Sequence, residues 1–99
     1  MADEYYIWTT RRRIKEGTQQ EFEDAWQPKE FPDGMQRAYE LVDEDTGEIV
    51  GVSIWDAKAS CEAYRASDVE SERREAMAPY VEEERSRTYT GRELGIPDS

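Results

Sequence analysis

Seven side chains carry groups able to recognise a small aromatic compound: Tyr6, Trp8, Arg37, Tyr39, Trp55, Tyr64 and Tyr89. Phenol hydroxyls donate and accept hydrogen bonds, indoles offer flat apolar walls, and a guanidinium steadies a developing enolate or phenolate. Concave, aromatic-lined pockets with a few polar groups are the usual way to hold such a ligand. Each of the seven also has a packing use, and Trp55 in particular ends a strand where it would lie on the next helix. The set is an expectation about ligand contact, and no residue is assigned a catalytic role.

Other reactive groups read differently. Asp56, directly after Trp55, is placed to cap the following helix, which would commit its carboxylate to backbone N–H groups and make it a poor base. Cys61 falls on an apolar helical stripe and reads as a small buried hydrophobe. A thiol nucleophile would want a neighbouring base such as His, and the chain has no His. One Cys and no His also leave no metal-ligand spacing, so no metal and no cofactor is expected.

These residues must be positioned by a small set of elements. YYIWTTRRRI, residues 5 to 14, is rich in aromatic and β-branched types and predicts a strand. Gly17 breaks it, and Thr18 with Glu21 has the spacing of a capping box. Phe22, Ala25 and Trp26 then share one helical face, expected to hold that helix on a sheet, and Pro28 should stop it. PKEFPDG reads as a loop, and MQRAYELV and EIVGVSIW as two strands of a hairpin around DEDTGE, with Gly47 free to take a positive φ.

After Trp55, the stripe Ala57, Cys61 and Tyr64 predicts a second helix. Ser67 and Glu70 make another capping-box match, opening a third in which Val69, Ala76, Met77 and Tyr80 share a face until Pro79 kinks or ends it. RSRTYTGREL predicts the last strand, before a frayed GIPDS tail. The order β-α-β-β-α-α-β is that of an α+β, ferredoxin-like sandwich with a four-stranded antiparallel sheet, one domain over residues 1–99 with its core at about 5–94.

The third strand carries a further signal. Val50, Val52 and Ile54 point one way and Ile49, Gly51, Ser53 and Trp55 the other, and neither set is charged. A sheet with one wet face would alternate apolar and polar. Helices cover one face of so small a sheet, so a second copy related by a two-fold axis is the expected cover for the other. The rival reading is that long side chains shield that face within one chain.

Composition limits the partners. A net charge of −11 would repel phosphate backbones and anionic membranes, which argues against nucleic acid and membrane surfaces. The longest apolar runs are too short to span a bilayer, and the acidic start MADEYY lacks a signal-peptide pattern, so a cytoplasmic address is expected. Arg11, Arg12 and Arg13 do not make one basic patch, because consecutive strand residues alternate faces. Ion pairing with the acidic excess is their expected role.

Taken together, "RRRIKEGTQQEFEDAW", "PDGMQRAYELVDEDTGEIVGVSIWDAKASCEAYRAS" and "ERREAMAPYV" resemble the antibiotic-biosynthesis-monooxygenase-like domains of the dimeric α/β-barrel superfamily, over roughly residues 5 to 94. The resemblance implies two sheets packed face to face in a homodimer, with a pocket between each sheet and its own helices. It also implies a choice of activities: cofactor-independent oxygenation of polycyclic phenols, haem degradation, isomerisation, or none. Haem degradation in such proteins needs an axial His and a pocket Asn beside a Trp, and this chain has neither His nor Asn. The phenol oxygenases use Trp, Tyr, Asn and Arg, of which only Asn is missing here. Two expectations result: an oxygenase or isomerase of a small aromatic compound, or a non-catalytic dimer that binds a small molecule or a partner protein.

Overall fold

A computed structural model of the chain describes residues 4–27 and 30–94. The elements are β1 (Glu4–Ile14), α1 (Gln19–Trp26), β2 (Met35–Val42), β3 (Ile49–Trp55), α2 (Lys58–Arg65), α3 (Asp68–Met77), a 3-10 turn (Ala78–Tyr80) and β4 (Val81–Arg92). All strand pairs are antiparallel, and the spatial order is β2-β3-β1-β4. This is the expected ferredoxin-like α+β sandwich. Pro28 and the 95–99 tail, expected to end a helix and to fray, lie outside the described residues.

The registers decide which side chains meet. Tyr6 pairs with Trp55, Trp8 with Ser53, Thr10 with Gly51 and Arg12 with Ile49 across β1 and β3. Directly opposed residues share a face, so these eight form the floor beneath the helices. Here Trp8, Thr10, Arg12, Ile49, Gly51, Ser53 and Trp55 are all buried. Phe22 of α1 and Met77 of α3 close on Ile49 at one end of this floor, and Cys61 and Tyr64 of α2 close on Trp8 and Trp55 at the other.

The hairpin forms as its residues require. Gly47 has φ +78°, and the Asp43 carboxylate accepts from the backbone N–H groups of Asp45 (2.9 Å) and Thr46 (3.2 Å). The other Asp43 oxygen and Glu48 grip the Arg11 guanidinium at 2.9 and 2.8 Å, and those bonds hold both carboxyls below their ordinary pKa.

Four local expectations need correction. The Thr18 hydroxyl donates to the Lys15 carbonyl at 2.7 Å, so it closes the preceding turn and makes no cap bond to α1. Asp56 stands one residue too early to cap α2. Ala57 is the residue at the N-cap, and the Asp56 N–H is bonded to the Gly34 carbonyl at 2.9 Å. Gly34 itself (φ +87°) is pressed against this corner, where a Cβ would lie 2.5 Å from Ser60 and 2.7 Å from the Asp56 carboxylate. On α3, Val69 is 65% exposed, and Glu70 is buried along with the expected Met77. Only half of the Ser67–Glu70 box forms: Ser67 Oγ accepts from the Glu70 N–H at 3.2 Å, while the Glu70 carboxylate turns inward to Arg73.

The last strand starts at Val81 and not at Arg85, because its pairing with β1 begins at Ile14 and continues through Arg13–Glu83 and Arg12–Glu84. Those acidic residues look like helix or loop in sequence, and the cross-strand arginines make them strand. Among the described residues no helix is long and apolar enough to cross a membrane.

Candidate functional site

Between the sheet floor and the helices lies a cavity of about 40 Å³, lined by Trp8, Thr10, Trp26, Met35, Ala38, Gly51, Val52, Ser53, Tyr64 and Arg73. Its floor is low because Gly51 has no side chain. A Cβ there would sit 2.9 Å from Thr10 Oγ1 and 3.5 Å from Trp26 Nε1. One end is fixed by an indole: Trp55 Nε1 donates to Ser53 Oγ at 2.8 Å, Ser53 Oγ donates to the Trp8 carbonyl at 3.2 Å, and the Tyr64 ring leans on Trp55 at 5.5 Å.

The polar side of the site is built from charges. Arg12, 1% exposed, bonds Glu84 through Nε at 2.7 Å and donates from Nη1 to Thr10 Oγ1 at 3.0 Å. Burial lowers its pKa, against the pull of Glu84. From α3, Arg73 reaches back to the Trp26 carbonyl (Nη1, 2.6 Å) and to Glu70 Oε1 (Nε, 2.9 Å), with its guanidinium 6.0 Å from the centre of the Trp26 ring. Glu70 is 0% exposed. The Tyr64 hydroxyl lies beside this pair. Burial raises its pKa, with Arg73 opposing and Glu70 reinforcing the rise. Tyr64 is thus a neutral phenol at physiological pH, fitted to donate a hydrogen bond and not to act as a base.

Two buried side-chain atoms have no partner among the described residues: Trp8 Nε1 and Glu70 Oε2. A buried polar atom left unpaired costs about 1–3 kcal/mol. Outside the cavity, a groove of about 440 Å³ runs between α1 and α3, lined in part by Ala25, Val69 and Ala76. Tyr64 and Arg73 line both spaces and so stand between them.

The seven pocket residues expected from sequence fall on two faces. Tyr6, Trp8, Trp55 and Tyr64 come together under the helices, in one cluster with Cys61 and Met35. Arg37, Tyr39 and Tyr89 pair with Ile54, Val52 and Ile7, which places them on the opposite face of the sheet. There Arg37 sits against Tyr39, which raises its pKa. For Arg37 and Tyr39 a bulge between Met35 and Arg37 sets the face, since it puts Met35 under the helices and shifts the parity of the rest of β2, while Tyr89 is placed by its pairing with Ile7.

Thr10, Arg12, Trp26, Glu70 and Arg73 are site residues that residue type and spacing did not single out. The parity of Tyr6 and Trp8 already contains Thr10 and Arg12, and the Glu70–Arg73 spacing of three is a helical ion-pair spacing. Both signals are present in the chain. The burial of Glu70 carries no such mark in the sequence.

On the helix-free face, Val50, Val52 and Ile54 are half-buried, while Tyr39, Leu41 and Tyr89 are exposed. The registers put Arg11, Arg37, Arg85 and Arg87 on the same face, beside these apolar residues.

No protein-family model and no curated protein matches the sequence. Solved structures do match. A protein from Nitrosomonas europaea, named among antibiotic biosynthesis monooxygenases, superposes with a TM-score of 0.72 at 16% identity, over 92% of each chain. SnoaB from Streptomyces nogalater, a cofactor-independent oxygenase, gives 0.71 at 19% identity, over 98% of this chain and 100% of its own. A conserved protein from Methanosarcina mazei gives 0.73 at 14%, over 93% and 95%. The chain shares their fold. At these identities it is the backbone that is common, and the side chains in the cavity must be judged on their own chemistry.

Proposed function

We propose that the protein is a homodimer whose helix-side cavity binds a small phenolic aromatic compound and oxygenates it without a cofactor. The observation that carries this reading is the cavity itself, walled by Trp8, Trp26 and Tyr64 and bordered by the Arg73 guanidinium. Such a surface matches the hydroxyl-bearing edge of an aromatic compound: the indoles contact that edge, and Tyr64 and Arg73 stabilise the phenolate oxygen. The oxygenase SnoaB, which has the same fold, adds weight.

The reaction balances with the substrate as its own reductant. A ring C–H and the phenol O–H lose two hydrogens to water along with one atom of dioxygen, and the other oxygen atom becomes the new carbonyl of a quinone. Loss of the phenol proton makes the ring electron-rich enough to give an electron to oxygen, so the protein's task is to favour the phenolate. The apolar helix-free face supports the dimer, with a second copy's sheet as its cover.

One observation favours a second reading, a binding module without chemistry. The cavity of about 40 Å³ holds no whole aromatic ring, and no side chain on it is an evident base for a phenol. An oxygen electrode separates the two. With 1,5-dihydroxynaphthalene and related dihydroxy-aromatics, the oxygenase reading predicts one dioxygen consumed per quinone formed. Binding of the panel without oxygen uptake would leave the module as the account.

A further inference from the structure

We propose that the Trp8 indole N–H is the recognition donor of an inner subsite that accepts one ligand oxygen, while the ring of the ligand stays in the groove between α1 and α3. The proposal rests on the reading of the cavity as a small-molecule site and names what enters it.

Three observations meet at this point. Trp8 is 6% exposed and lines the cavity, yet its Nε1 has no partner among the described residues. An indole N–H is a donor only, so what satisfies it must be an acceptor. The cavity, at about 40 Å³, exceeds the room one water needs and is far short of a ring. Neighbouring groups suit an oxygen as well. Thr10 Oγ1 already accepts from Arg12, which leaves its own hydrogen free to donate, and Arg73 brings a positive charge.

The indole is also held in place and polarised. The Trp8 backbone carbonyl accepts from Ser53, and the Arg65 guanidinium lies 4.8 Å from the indole ring centre. A cation over the ring draws electron density from it and makes the N–H a stronger donor. Without ligand, a water fills the subsite. On binding, a hydroxyl or phenolate oxygen displaces that water.

The test uses the whole protein labelled with ¹⁵N, which has three indole N–H signals. Titration with 1,5-dihydroxynaphthalene should move the Trp8 signal downfield, while naphthalene, which carries no oxygen, should leave it unshifted. Trp8→Phe should weaken binding of the dihydroxy compound about 10-fold more than it weakens binding of naphthalene, as loss of one hydrogen bond requires. A crystal structure without ligand should hold a water within hydrogen-bonding distance of Trp8 Nε1, and this arm stands even if the variant does not fold.

Binding that moves the signals of Trp26 or Trp55 but not of Trp8 overturns the proposal. So does a panel in which no indole signal moves, or a crystal structure with no water at Trp8 Nε1. Absence of oxygen uptake does not bear on these readouts, so failure of the oxygenase reading stays distinguishable.

Discussion

Replacing Glu70 with Ala tests whether the polar side of the site is structural. Glu70 is 0% exposed, and its Oε1 holds Arg73 at 2.9 Å. Removing one partner of a buried ion pair costs about 3–5 kcal/mol, because the other charge is left in a poor environment. Two features bring the figure to the low end. Arg73 keeps its 2.6 Å bond to the Trp26 carbonyl, and Glu70 Oε2 has no partner to lose. The backbone N–H bonded to Ser67 survives the substitution, and Ala favours the helix by a few tenths of a kcal/mol.

The net expectation is a loss of about 2–3 kcal/mol. Urea unfolding at pH 7 should then show the midpoint falling by about 1–2 M, at fixed protein concentration, on which the stability of the proposed dimer would depend. Glu70→Gln, which keeps an acceptor for Arg73, should lose about half as much. A double-mutant cycle with Arg73→Met should give a coupling of about 1–3 kcal/mol. Glu70→Ala within about 0.5 kcal/mol of the parent, the range of an ordinary surface substitution, would refute the reasoning and return Glu70 to the solvated face of α3.

Other parts of the structure give further outcomes. Gly51→Ala should weaken binding of dihydroxy-aromatics more than it lowers the melting temperature, because the added Cβ meets Thr10 Oγ1 at 2.9 Å on the cavity floor; equal binding by parent and variant would move the ligand elsewhere. Val52→Glu, on the helix-free face opposite Tyr39, should convert a dimer to a monomer in light scattering, and an unchanged dimer mass would take the interface off that face. Burial raises Cys61 to about 11 from an ordinary 9.0 and also raises Tyr64. Groups whose folded pKa is raised give stability that is present below the unfolded pKa and lost as pH rises toward the folded one, so urea midpoints should hold at pH 8 and fall between about 9 and 11. An aromatic disulfide reagent should leave Cys61 unmodified in the folded state at pH 8, and rapid labelling there would contradict its burial. At a net charge of −11, added salt should raise the melting temperature by screening self-repulsion, and a flat trend would mean that the ion pairs already absorb it.

Much of the fold was legible because it rests on periodicity. Alternation in YYIWTTRRRI and EIVGVSIW, the helical spacing of Ala57, Cys61 and Tyr64, and the glycine of the hairpin each specify an element by local physics. The two-faced pattern of β3 was legible for the same reason, and the structure leaves Val50, Val52 and Ile54 only half covered.

The site was half legible. Tyr6, Trp8, Trp55 and Tyr64 could be expected together, since strand parity and helical spacing put them on inward faces. Arg37, Tyr39 and Tyr89 could not be placed, because one bulged residue after Met35 reverses the parity of β2, and the partner of β4 is fixed by pairing far along the chain. Asp56 and Thr18 misled because a capping residue is defined by one backbone position, which composition alone does not locate. Glu70 and Arg73 were missed for a deeper reason. An isolated Glu on a helix full of charge reads as solvated, and only the tertiary approach of Tyr64 and Trp26 makes it buried.

The most direct test is a crystal structure grown with 1,5-dihydroxynaphthalene. The account predicts ring density on the helix side of the sheet, with one oxygen within hydrogen-bonding distance of Trp8 Nε1. Ring density confined to the helix-free face of the sheet, with the helix-side cavity unchanged, would contradict it.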